Sequence, residues 1–166
     1  MEHYKSWGTQ KKWLEGNLCQ ELSGRVTFFL TRYHKVHDAY GRAAIRVDGA
    51  ERAIFSWIEM CHQETGLNEL WRREGKPPYD MEGLRETLKP EWDGNCTWCE
   101  LDFLSAALKF RSMPIQDALA SDDYIIKVLA IMDRRVGTRT LQRIAEDGAY
   151  LQYPDWVKQF YLLRLP

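Results

Sequence analysis

The chain has 166 residues, 45% hydrophobic and 28% charged, with 23 Lys and Arg against 24 Asp and Glu for a net charge of -1. That balance is the ordinary one of a globular protein and excludes disordered, collagenous and coiled-coil classes. It also gives no whole-molecule attraction to nucleic acid or acidic lipid, so partners have to be sought locally.

A chain of this length buries roughly 70% of its unfolded surface. Seven Trp among its aromatics supply bulk for the core, so it folds without staples. The opening MEHYKSWGTQKKWLEGNLCQ lacks the apolar run of a signal peptide. No later segment approaches the ~20 apolar residues of a membrane span, and a cytoplasmic protein without membrane contact is expected. Cys19, Cys61, Cys96 and Cys99 are too scattered for a disulfide framework and are read as free thiols of a reducing compartment.

Ser6 can cap a first helix with an apolar stripe of Trp7, Leu14, Leu18 and Leu22, weakened by Gly16 and stopped at Ser23-Gly24. The pattern then changes to period two. RVTFFLTRYHKV puts Val26, Phe28 and Leu30 on one face, and RAAIRVD alternates Ala43, Ile45 and Val47 with Arg42, Ala44, Arg46 and Asp48. Asp48-Gly49 signals a tight turn into ERAIFSW, so residues 25–57 read as a three-stranded antiparallel meander.

After Ile58, Gly66, Gly75 and Pro77-Pro78 break the chain into short pieces, with a broken helix expected over 58–74 and another from Asp80 to Pro90. Thr97-Trp98-Cys99-Glu100 has the spacing of a capping box for a helix burying Leu101, Leu104 and Leu108. Pro114 opens a short turn, and Ser121-Asp122-Asp123 caps a helix buried through Ile125, Ile126, Leu129 and Met132 and stopped at Gly137. Thr138 begins a short helix carrying Leu141 and Ile144; Pro154-Asp155 opens a last one with Trp156, Phe160, Tyr161 and Leu163.

Helix, meander, then a run of helices predicts a single α+β domain over 1–166, its helices covering one face of the sheet. The absence of GxGxxG, of GxxxxGK[ST] and of strand-helix alternation argues against dinucleotide and P-loop folds. The core is expected to draw on Leu14, Leu18, Phe28, Ile45, Val47, Phe55, Leu104, Leu108, Ile126, Leu129 and Phe160. Charge is uneven: residues 1–50 carry +3, residues 51–100 carry -5, and the remainder +1.

The blocks GRVTFFLTRYHKVHDAYGRAAIRVDG, SDDYIIKVLAIMDRRVGTRTL and PDWVKQFYLLRL resemble a family of small, functionally uncharacterised bacterial proteins. The resemblance implies a compact intracellular protein and transfers no catalytic residues.

Arg32, His34, Lys35, Arg42 and Arg46, with Tyr33 and Tyr40 among them, could meet phosphates and stack bases of single-stranded nucleic acid. The plainer reading is that Arg42 and Arg46 form the solvent side of a one-sided sheet. His34 and His37, three apart on a strand, point to opposite faces and make a poor metal pair. Cys96-Thr-Trp-Cys99 has knuckle spacing, but its candidate partners Cys61-His62 are adjacent and seldom reach one ion together, so no metal and no cofactor is expected.

Arg134, Arg135 and Arg139 around Gly137 can clamp an anion; an internal ion-pair network with Asp133 is the plainer account. No GxSxG elbow or HExxH helix supports nucleophilic or metal-assisted catalysis. The expectation is a non-enzymatic protein-binding module, such as an immunity or inhibitor protein of bacterial conflict systems, with Trp71, Trp92 and Trp98 as anchors. Single-stranded nucleic-acid binding and a small enzyme without a recognisable motif are the alternatives.

Overall fold

The computed structural model describes residues 7–32, 41–56 and 99–166. The pieces expected over 58–90, the first hairpin connection, and Tyr33, His34, Lys35, His37, Tyr40, Trp71, Trp92, Cys61, His62, Cys96, Thr97 and Trp98 lie outside these residues.

Helix α1 runs Trp7–Gly16, shorter than the stripe through Leu22 predicts. Gly16 is a poor helix former. Asn17 turns its side-chain amide back onto the Trp13 carbonyl at 2.7 Å, and the following backbone bonds elsewhere. Cys19 N–H donates to Met132 O at 2.9 Å, while Asn17 O accepts from Arg134 N–H at the same distance. Leu18 and Leu22 are buried all the same, held by turns rather than a helix, and Gly24 adopts the left-handed backbone that the stop requires.

Strands β1 (Val26–Arg32), β2 (Gly41–Val47) and β3 (Ala50–Phe55) form an antiparallel sheet in the order β1-β2-β3. Phe28 faces Ile45, and Ile45 faces Ala53, so the centre of one sheet face is apolar. Asp48 at φ 51 and Gly49 at φ 83 make the β2–β3 turn with both central residues left-handed, the geometry whose twist matches paired strands. Gly41 sits under the Trp7 ring, and a Cβ there would come within 2.0 Å of the ring and 2.5 Å of Thr31 O. A side chain at this position is therefore excluded by space.

The second half is helical: α2 (Glu100–Arg111), α3 (Ile115–Ala120), α4 (Tyr124–Met132), α5 (Thr138–Asp147), a 3₁₀ turn at Ala149–Gln152, and α6 (Asp155–Leu162). Helix α2 is capped at Cys99, whose N–H donates to Asp102 at 3.0 Å, two residues later than the expected box. Its buried face is Phe103, Leu104, Ala107 and Phe110, while Leu101 is 38% exposed and Leu108 only half-buried. Both stripes have helical spacing and share Leu104; the bulk of two phenylalanines decides which one turns inward. Where a turn is expected after Pro114, the short helix α3 forms, because a proline's fixed φ suits a helix entrance.

Asp123 caps α4 as expected by accepting from Ile125 N–H and Ile126 N–H. The helix ends at Met132, not Gly137. Asp133 takes an extended backbone and its carboxylate accepts the Arg135 N–H at 2.8 Å, a local bond that competes with continuing the helix. Gly137 instead precedes α5.

Helix α1 packs on β1, α2 on β2 and β3, and α4 on α2, α3 and α6. Phe103 lies between the sheet and the helices, with its ring 4.8 Å from Phe55 and 6.2 Å from Phe28. Both edge strands meet side chains: Glu15 accepts from Phe28 N–H, and Gln159 donates to Arg52 O. This blunts edges that would otherwise offer free pairing groups. In α4, every residue from Ile125 to Met132 is buried. Leu129→Ala is accordingly expected to cost about 2–5 kcal/mol, and an unchanged urea midpoint would place this side chain outside the core.

Candidate functional site

The strand arginines do not share one surface. Arg32 pairs with Gly41 across the ladder and belongs to the same set of alternating positions as Val26 and Phe28, so it lies on the core side of the sheet. Arg42 and Arg46 have the opposite parity. Alternation within β1 and β2 thus divides the proposed nucleic-acid contacts.

On the outer face, Arg42 and Arg46 converge on Glu51. Arg42 Nη1 donates to its carboxylate at 2.8 Å and Arg46 Nη2 at 3.0 Å, while the Arg46 guanidinium stands 4.6 Å from the Phe29 ring centre and that of Arg42 stands 5.6 Å from it. The Arg42 hydrogen bond, with a smaller contribution from Arg46, holds the Glu51 carboxyl down to about 2 against the opposing effect of burial, which is second in size to Arg42. Phosphate would compete with a carboxylate already held by both guanidinium groups.

The pairing has a pH signature. Glu51 is more acidic in the folded protein, so its stabilising contribution is complete above about 4.5 and disappears as pH falls toward about 2. Glu51→Gln should therefore cost about 1 kcal/mol near neutrality and nearly nothing at the acid end, read from urea midpoints of both proteins across that range. A constant difference would exclude the ion pair as its source.

At the α4–α5 corner, Arg135 folds back on buried Asp133. Its Nε donates at 3.0 Å and Nη2 at 3.2 Å to the two carboxylate oxygens, and Nη1 donates at 3.0 Å to Met113 O. Arg134 and Arg139 are exposed, and neither has an ion-pair partner among the described residues. The structure does not gather the three guanidinium groups into one clamp.

The arginine that meets the carbonyls at this corner is Arg164, from beyond α6. Its Nη2 donates to Val136 O at 2.9 Å and its Nη1 to Ile131 O at 3.4 Å. Sequence reasoning passed over it, although an arginine set among leucines and followed by proline is the available hint.

Among the described residues, clefts open on the helical half. One, of 560 Å³, is bordered by Asp102, Lys109, Asp122 and Asp123. Asp123 spends its carboxylate on capping α4, and burial pushes that carboxyl upward.

Another cleft, of 270 Å³, is walled by Leu119, Ile144, Tyr150 and Tyr153, with Arg143 and Asp147 of α5 also on its lining. Tyr150 stacks parallel on buried Tyr161 at 5.9 Å between ring centres, and Tyr153 meets Tyr161 edge-on at 5.4 Å. Lys127 Nζ donates to Leu119 O at 2.9 Å and to the Tyr153 hydroxyl at 3.3 Å, tying α3 and α4 to this aromatic wall. Burial raises the Tyr161 hydroxyl well above its ordinary range, so it remains protonated.

Cys19 and Cys99 are both buried, and burial pushes the Cys19 thiol up, which keeps it un-ionised. Among the described residues no group of three His, Cys, Asp or Glu is placed to hold a metal ion, and no helix is long and apolar enough to cross a membrane.

The sequence profile of the SF0329 protein family matches residues 6–165, nearly the whole chain. The chain belongs to the SF0329 protein family. The match spans the sheet, the Asp133 corner and the tyrosine-lined cleft, so each lies within the region shared with that family. No curated protein and no solved structure matches the chain.

Proposed function

We propose that this protein acts by binding another protein, in the manner of an immunity or inhibitor protein of bacterial conflict systems. The observation that carries this reading is the set of exposed apolar side chains on the 3₁₀ turn and α6 beside α5. No residue of α5 is fully buried although its apolar and charged residues are sharply segregated, and Leu141 and Ile144 pack half-buried against the core. Leu151 and Leu162 are 54% and 59% exposed, and each directly follows one of the stacked tyrosines, Tyr150 and Tyr161.

Large apolar side chains beside tyrosines and arginines, with charge around them, have the composition of an interface centre. Arg42 and Arg46 support the same choice, since their engagement with Glu51 weakens the nucleic-acid alternative.

The test is affinity capture from the source cell with the wild type and a Leu151→Asp/Leu162→Asp variant, alongside Trp92→Ala. A stoichiometric partner held by the wild type and released by the double leucine variant supports the reading. Absence of a partner, or one retained equally by every variant, refutes it. The folded state of each variant is confirmed by circular dichroism.

A further inference from the structure

We infer that the tyrosine-lined cleft between α3, α5 and the 3₁₀ turn is a binding site for a free α-amino acid with an apolar side chain. Its volume of 270 Å³ falls just below the roughly 300 Å³ at which drug-sized sites begin, so its occupant is small. Leu119, Ile144 and the face of Tyr150 offer apolar and aromatic contact to a side chain. The polar groups then define the rest of the ligand.

Arg143 and Asp147 stand one helical turn apart on the lining, and neither has an ion-pair partner among the described residues. Arginine placed before the acid on a helix is the weaker order for such a pair, which leaves both groups to a ligand. Tyr153 supplies a third contact. Its hydroxyl oxygen accepts from Lys127 Nζ, so the O–H proton is left to donate. A carboxylate is served by Arg143 and the Tyr153 hydroxyl, and an ammonium by Asp147. Opposite charges on one small molecule with an apolar body describe an apolar amino acid in its zwitterionic form.

This inference concerns a different ligand from the protein partner proposed above, and either can fail without the other. Isothermal titration of the full chain with L-leucine and L-phenylalanine tests it. The comparison ligands are 3-phenylpropionate, which lacks the ammonium, phenethylamine, which lacks the carboxylate, and L-aspartate, which lacks the apolar body.

Leucine or phenylalanine is expected to bind, with phenylpropionate weaker and aspartate and phenethylamine weaker still. Arg143→Gln should weaken phenylalanine about tenfold or more, the loss of one charge-assisted contact. Asp147→Asn should erase the preference for phenylalanine over phenylpropionate. Both residues are exposed on α5, and circular dichroism confirms that the variants fold. No binding of either apolar amino acid to the wild type, affinity unchanged in both variants, or phenethylamine binding as tightly as phenylalanine would overturn the assignment.

Discussion

Replacing Arg135 with alanine is expected to destabilise the protein by about 3 kcal/mol, the low end of the range for breaking a buried ion pair. The Asp133 side chain is only 1% exposed, and removing Arg135 leaves its charge without the two guanidinium donors. Arg135 itself is 36% exposed on its side chain, so water can follow it in and moderate the loss. The Arg135 backbone N–H, at 2.8 Å, survives the substitution and moderates it further.

Asp133→Asn should be milder, at about 1–2 kcal/mol, because the amide oxygen can still accept that N–H while the charge is removed. The two substitutions together should cost less than their sum by about 1 kcal/mol or more, as expected for residues in direct contact. Urea denaturation followed by tryptophan fluorescence measures all three. An Arg135→Ala cost below that of Asp133→Asn would show that the pair does not hold the α4–α5 corner.

Phe103→Ala is the second large effect, at about 3–5 kcal/mol. Phe103 is fully buried and its ring meets Phe55 of β3 and Phe28 of β1. The cavity would open between a helix and two strands that are each hydrogen-bonded to β2, elements that cannot collapse independently, so little of its volume would be recovered. Phe103→Leu keeps most of that volume and should cost much less. The control is Leu101→Ala two residues earlier, which sits 38% exposed and should stay within about 0.5 kcal/mol. Comparable losses at Phe103 and Leu101 would mean that α2 presents a different face to the sheet.

The contrast between Phe103 and Leu101 also marks the limit of sequence periodicity. A stripe at three- and four-residue spacing shows that α2 is amphipathic. Two neighbouring stripes share Leu104, and the bulk of Phe103, seated against the Phe28 and Phe55 rings, turns one of them inward. The Asp133 corner was partly legible: its charges are adjacent in the chain, so an internal pair could be anticipated. Arg164, 31 residues beyond Asp133 and donating to its carbonyl at 3.5 Å, could not be assigned that contact by spacing. The cleft was less legible still, because Leu119, Ile144 and Tyr153 come from separate elements and have no motif between them.

Local interactions account for the features that were legible in the amino-acid order. Alternation fixed the three strands and their inward faces; Asp48-Gly49 selected the tight turn; Asp123 marked the start of α4. Each depends on residues within a few positions of one another. Tertiary structure decided where α1 stops, which face of α2 is buried, and which side chains enclose the cleft. Helix ends trade their own hydrogen bonds for those of neighbouring segments, as Cys19 does with Met132. Side chains separated by many residues become neighbours only when the elements that carry them pack.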